Sequence, residues 1–116
     1  MIKRFYATKD NTITNAFEEN LTTRGTGSNM GASDILEVFS IYGQATSASA
    51  ELSRVLIQFE PSYTNIPSYA RWYLKMFNAP HSETVPSTFD MSILAISQSW
   101  QEGYGIDMES YKDKTK

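Results

Sequence analysis

Few side chains here are of types that do chemistry, and they stand far apart. Cysteine is absent, which removes disulfides, thiolate nucleophiles, zinc fingers and iron–sulfur ligation. One histidine, His81, removes any multi-histidine metal site. To act as a general base, His81 needs an orienting carboxylate and a nearby nucleophile. Glu83 is its one close carboxylate in sequence, and the Pro-flanked setting reads as a solvated loop. Glu60, Glu83, Asp90 and Glu102 are too scattered to argue the paired carboxylates of a glycosidase. Asp107, Glu109 and Asp113 could offer alternating oxygen ligands to calcium. They lack the Asp-x-Asp-x-Asp-Gly density of a dedicated site, so a charged tail is the better reading. Residues 22–33 hold three glycines among small polar residues, but neither the preceding apolar strand nor the Gly-Lys-Ser/Thr end of a phosphate cradle is present. Tyr63, Tyr69, Trp72, Tyr73, Trp100 and Tyr104 could form a platform for sugar rings, although an all-β core of this size needs most of its aromatics as filling. The expectation is a protein without catalytic residues, metal or cofactor.

The elements that must position these residues are bounded by length and composition. A chain of 116 residues suits one domain, and 41% apolar residues suit a globular one. The net charge of −3 leaves no basic surplus for phosphate backbones, so a nucleic-acid partner is not expected. No run approaches the ~20 apolar residues of a membrane helix, and the start lacks the apolar region of a signal peptide. A protein made and kept in a reducing cytosol is the simplest reading, and that also fits a virion component assembled inside a bacterial host.

Short apolar runs separated by Ser- and Thr-rich stretches read as all-β. Strands are expected at 2–8 and 11–17, with Lys9-Asp10-Asn11 as the turn between them. Residues 34–42 fit a helical stripe or a strand, and the strand is favoured beside strand neighbours. Residues 44–51 read as a loop. Residues 52–60 are the clearest strand, with Val55, Ile57 and Phe59 alternating and Pro61 ending the pairing. Further strands are expected at 69–77 and 88–100, and the tail after Gly105 loses apolar density. Val55, Ile57, Phe59, Leu74, Ile93, Leu94 and Trp100 are the expected core.

Several stretches then occur in a familiar order. Ala7-Thr-Lys-Asp-Asn-Thr-Ile-Thr-Asn-Ala-Phe17 opens the chain, followed by Asn29-Met-Gly31 and Ile35-Leu-Glu-Val38. Ser53-Arg-Val-Leu-Ile-Gln-Phe59, Ala70-Arg-Trp-Tyr-Leu-Lys-Met76 and Ser99-Trp-Gln-Glu-Gly-Tyr-Gly105 come next. This series resembles the DNRLRE-type β-jelly-roll domain, a carbohydrate-binding-module-like family. Its wording is similar to virion structural proteins of marine T4-like tailed phages, including cyanophages.

The resemblance implies one antiparallel two-sheet jelly-roll sandwich over 1–116, with structural roles for Arg54, Phe59 and Trp100. It implies a non-catalytic virion protein of a tail, neck, fibre or capsid surface. The expected partners are other virion proteins and copies of itself, with no nucleic acid and no membrane. The alternative is a module that recognises a host glycan. The family continues beyond the Trp-x-Glu-Gly turn with further strands, so the sandwich is expected to be incomplete at its C-terminal end. Either the chain continues past Lys116 or a second polypeptide covers the open edge. Trp100, Tyr104 and Ile106 are the residues expected beside that interface, which should exceed roughly 1,000 Å².

Overall fold

The run Val55-Leu56-Ile57 has the β-branched density that favours extended backbone, and a strand forms around it. The computed structural model describes residues 1–27, 29–61, 65–82 and 85–106. Among them there are three strands and no helix: β1 (Ala7–Thr14), β2 (Ser40–Tyr42) and β3 (Ala50–Phe59). They make one antiparallel sheet of order β1-β3-β2, so the apolar strand β3 is central and pairs on both sides. The fold is therefore all-β, as expected. A second sheet facing this one is not found among the described residues.

Several boundaries differ from the sequence reading, each for a physical reason. The expected turn at Lys9-Asp10-Asn11 lies inside β1, where Lys9 faces Gln58, Asp10 faces Ile57 and Asn11 faces Leu56. Pairing along β3 overrides the turn preference of these residues. A bulge between Ala7 and Lys9 takes up the irregularity, and the Thr8 hydroxyl donates to the Gln58 carbonyl at 3.2 Å. Ile2 and Tyr6, expected in a first strand, precede β1 and are exposed. The expected strand at 34–42 shrinks to Ser40–Tyr42. Hydroxyls take the place of the ladder before it: the Glu37 N–H donates to Thr12 Oγ1 at 3.0 Å, and the Phe39 N–H to Ser53 Oγ at 2.8 Å. Ser53 Oγ in turn donates to the Glu37 carbonyl at 2.7 Å.

The chain divides into two units, Met1–Ser62 with Gln101–Lys116, and Tyr63–Trp100. In the first, the fully buried apolar residues are only Ala16 and Met30 among those described. Asn11, Thr12, Ser49 and Glu51 are buried as well, so the interior is small and largely polar. The expected core of Val55, Ile57 and Phe59 is corrected accordingly. Val55 and Ile57 are half-buried and Phe59, at the end of β3, is 38% exposed. With no second layer over the sheet among the described residues, neither face of β3 is sealed.

In the second unit the strands expected at 69–77 and 88–100 are not formed. Alternation states which face a strand would bury, but a strand also needs a partner edge, and none is paired here among the described residues. A turn at Ser68-Tyr69 is closed by the Ala70 N–H donating to the Pro67 carbonyl at 3.0 Å. Of the described residues of this unit, only Ile66, Ala70, Ala79 and Trp100 are not exposed. Leu74, Ile93 and Leu94, expected in the core, are exposed, and Trp100 is half-buried.

Candidate functional site

A set of side-chain hydrogen bonds joins β1, the loop at 29–31 and the segment at 101–105. Asn11 and Asp10 reach it from β1. The Asp10 N–H donates to Glu102 Oε2 at 2.6 Å, and Asn11 Nδ2 donates to the Glu102 carbonyl at 2.7 Å. Asn29 ties its own loop to the 101–105 segment. Its Oδ1 accepts the Gly31 N–H at 3.0 Å and the Gly105 N–H at 2.8 Å, while its Nδ2 donates to the Glu102 carbonyl at 3.2 Å. The Ala32 N–H completes the set by donating to the Gly105 carbonyl at 2.8 Å.

Glycine is required for this approach. A Cβ on Gly31 would overlap the Glu102 carbonyl, and one on Gly105 would overlap the Asn29 carbonyl. Gly103 has φ of +79°, a left-handed conformation that side chains resist. The spacing Gly103-Tyr104-Gly105 thus packs both glycines against Asn29 and leaves Tyr104 95% exposed between them.

Burial raises the Asp10 carboxyl above its ordinary value, and the neighbouring Glu102 charge adds to the rise. Two carboxylates thus share one end of the cluster, a pairing that linear spacing hides because the residues are 92 positions apart. Asn11 is 4% exposed and its Oδ1 is buried without a hydrogen-bond partner.

A second polar centre lies at the start of β3. Glu51, read from sequence as part of a loop, is inside the strand and 2% exposed. Its Oε1 accepts the Phe17 N–H at 2.8 Å, and Oε2 is buried without a partner. Phe17 and Arg24 form an isolated antiparallel bridge that closes the loop above it. The Arg24 guanidinium lies 3.8 Å from the centroid of the Phe17 ring and donates to the Asn15 carbonyl at 2.7 Å and the Ala50 carbonyl at 3.1 Å.

Chemically, these atoms hold backbone in place. Asn11 Nδ2, both polar atoms of Asn29, Glu102 Oε2 and Glu51 Oε1 each engage a main-chain group, which is the chemistry of positioning. No group of three or more His, Cys, Asp or Glu residues that could hold a metal occurs among the described residues. No helix of the described residues is long and apolar enough to cross a membrane.

The residues singled out in the sequence fall as follows. His81 is exposed, and Glu83, Tyr63, Asp107, Glu109 and Asp113 lie outside the described residues. Tyr69, Trp72 and Tyr73 are exposed in the second unit. Of the expected interface residues, Trp100 belongs to the second unit and is half-buried, whereas Tyr104 and Ile106 belong to the first and are exposed. Sequence reasoning missed Asn11 and Glu51 as buried polar anchors and the half-buried Asp10 as the neighbour of Glu102. The signal for Asn11 and Asn29 was present in the Asp-Asn-Thr-Ile and Asn-x-Gly stretches, which the fold brings onto the Glu-Gly-Tyr-Gly turn. No protein family, curated protein or solved structure matches the chain.

Proposed function

We propose that this chain is a non-catalytic structural protein of a tailed-phage virion that works through protein–protein assembly, on a jelly-roll frame that a partner completes. The observation that carries this reading is the exposure of large apolar side chains in Tyr63–Trp100. Trp72, Tyr73, Phe77, Phe89, Ile93 and Leu94 are each more than 60% exposed. Apolar surface on that scale is a docking surface in a protein that functions in assemblies. The polar clusters fit the same reading, because their hydrogen-bonding atoms hold backbone groups in place. Tyr104, displayed between two packed glycines, and Ile106 are interface candidates within the first unit, and Trp100 is a separate candidate within the second.

The test is co-purification with particles. The chain should sediment with intact virions at a fixed copy number through a density gradient and resist release by moderate salt. Recovery of the chain only from the soluble fraction of lysed cells refutes the reading. The second reading, a module for host glycans, draws on the exposed Tyr69, Trp72 and Tyr73. Micromolar binding on a broad glycan array would favour it over the structural role.

A further inference from the structure

Three groups of oxygen acceptors come together where the 101–105 segment meets β1, an outer strand of the sheet. The first is the Asn11 amide. Its Nδ2 donates to the Glu102 carbonyl at 2.7 Å. That bond fixes the amide plane and sets Oδ1 beside Glu102 as well, since both atoms hang on one carbon. Oδ1 is buried with no hydrogen-bond partner, on a side chain that is 4% exposed. A flipped amide would only turn Oδ1 against the Glu102 carbonyl.

The other two acceptors are the carboxylates of Asp10 and Glu102, both half-buried. Glu102 Oε2 is held at the strand by the Asp10 N–H, at 2.6 Å. Burial raises the Asp10 carboxyl, and the Glu102 charge adds to the rise, so the two carboxylates stand close enough to repel. A buried acceptor without a donor costs free energy comparable to a lost hydrogen bond. A water molecule would answer Oδ1 but would leave the repulsion between the carboxylates in place. A cation answers both.

The donor set names the kind of cation. Two carboxylates and a carboxamide oxygen, with no nitrogen or sulfur, suit a hard ion. Calcium takes about six to eight oxygens in flexible arrangements, amide oxygens among them, whereas magnesium demands a near-ideal octahedron. Only two of the three groups are acids, so the site is not one of three clustered carboxylates.

We propose that Asp10, Asn11 and Glu102 bind one calcium ion per chain, with Asn11 Oδ1 and the two carboxylates as ligands and solvent completing the shell. The ion fastens the 101–105 segment to β1 and adds to the Asn29 hydrogen bonds a lock that depends on calcium concentration. The site lies within the first unit and is independent of the assembly reading.

The test uses the full chain, stripped with a chelator and titrated with calcium chloride in a calorimeter. One ion should bind per chain, with half-saturation at about 0.1–1 mM, the range of calcium modules with few charged ligands. The urea midpoint, followed by far-ultraviolet circular dichroism, should rise between chelator and about 10 mM calcium. Asp10→Asn and Glu102→Gln each leave the backbone N–H and a side-chain oxygen in place, so both should fold. Each should weaken calcium binding by about tenfold or more, because one charged ligand is lost. In chelator Asp10→Asn is relieved of the repulsion, and the advantage this gives it over wild type should shrink on adding calcium. Magnesium should bind at least about tenfold more weakly than calcium, and equal binding overturns calcium as the ion. No heat and no change in midpoint up to about 10 mM calcium overturns the site. Binding that both substitutions leave unchanged overturns the assignment to these residues.

Discussion

Replacing Asn29 by alanine removes three hydrogen bonds at one position. Two backbone N–H groups, of Gly31 and Gly105, lose their acceptor, and the Glu102 carbonyl loses a donor. A typical bond contributes about 0.5–1.5 kcal/mol net, and a buried group left unsatisfied costs about 1–3 kcal/mol. The site is partly buried, so water re-solvates some of these groups, and we expect Asn29→Ala to cost about 2–4 kcal/mol. That is a large part of the ~5–15 kcal/mol that holds a domain together. Asn29→Asp separates the contributions. It keeps the acceptor for both N–H groups but sets an oxygen against the Glu102 carbonyl, so its cost should fall between wild type and alanine. Urea denaturation followed by far-ultraviolet circular dichroism, which reads the sheet of the first unit, gives the three midpoints. A loss below about 1 kcal/mol for Asn29→Ala, or an aspartate variant less stable than the alanine one, would refute the role assigned to this cluster.

Other outcomes follow from the same geometry. Asp10 has its folded pKa raised above 3.8, so the folded state binds the proton more tightly than the unfolded one. Its effect on stability is therefore most favourable below the ordinary aspartate range and declines as pH rises through the raised value. Asp10→Asn should be more stable than wild type at pH 7 and should flatten the decline, and a pH series of denaturation midpoints that leaves the slope unchanged would contradict this. Gly105→Ala should cost about 1–3 kcal/mol, because its Cβ meets backbone that cannot move aside; calorimetry reads the loss. Phe59→Ala should cost about 1–2 kcal/mol, below the ~3–5 of a core phenylalanine, since the ring is 38% exposed. Glu51→Gln keeps an acceptor for the Phe17 N–H and takes a charge out of a site that is 2% exposed, so its urea midpoint should rise.

What could be read from the sequence depended on the range of the interaction. The strand at 52–60 was legible because Val55, Leu56 and Ile57 are β-branched or aliphatic and Pro61 stops the ladder. The strand through Lys9-Asp10-Asn11 was not, because its extended backbone is imposed by β3, more than forty residues away. Glu102 looked isolated for the same reason, and only the order of short motifs hinted that it, Asn29 and Asp10 belong together. Residues 69–77 show the opposite error. They alternate as a strand would, but no strand forms there, because a pattern on one segment carries no information about whether a neighbour is present to pair with it. Glu51 was misplaced because Ser and Ala around it read as loop, while its carboxylate is held by the Phe17 N–H, 34 positions away.

The separation of 92 positions between Asp10 and Glu102 also sets the order of events in folding. As the chain emerges from the ribosome, β1 and β3 can meet once Phe59 is out. Closing the Asp10–Asn29–Glu102 contacts must wait for the Trp-Gln-Glu-Gly-Tyr-Gly stretch, whose late arrival makes these among the longest-range contacts in the chain. Contacts of this span form slowly, since a long loop must be closed before they reward it. A nascent chain interrupted before residue 102 would therefore carry a paired sheet with Asn29 and Asp10 unanswered, and such a chain is open to degradation and to association with its neighbours. The cluster acts in this sense as a late checkpoint, withholding part of the first unit's stability until residues 101–105 have been made.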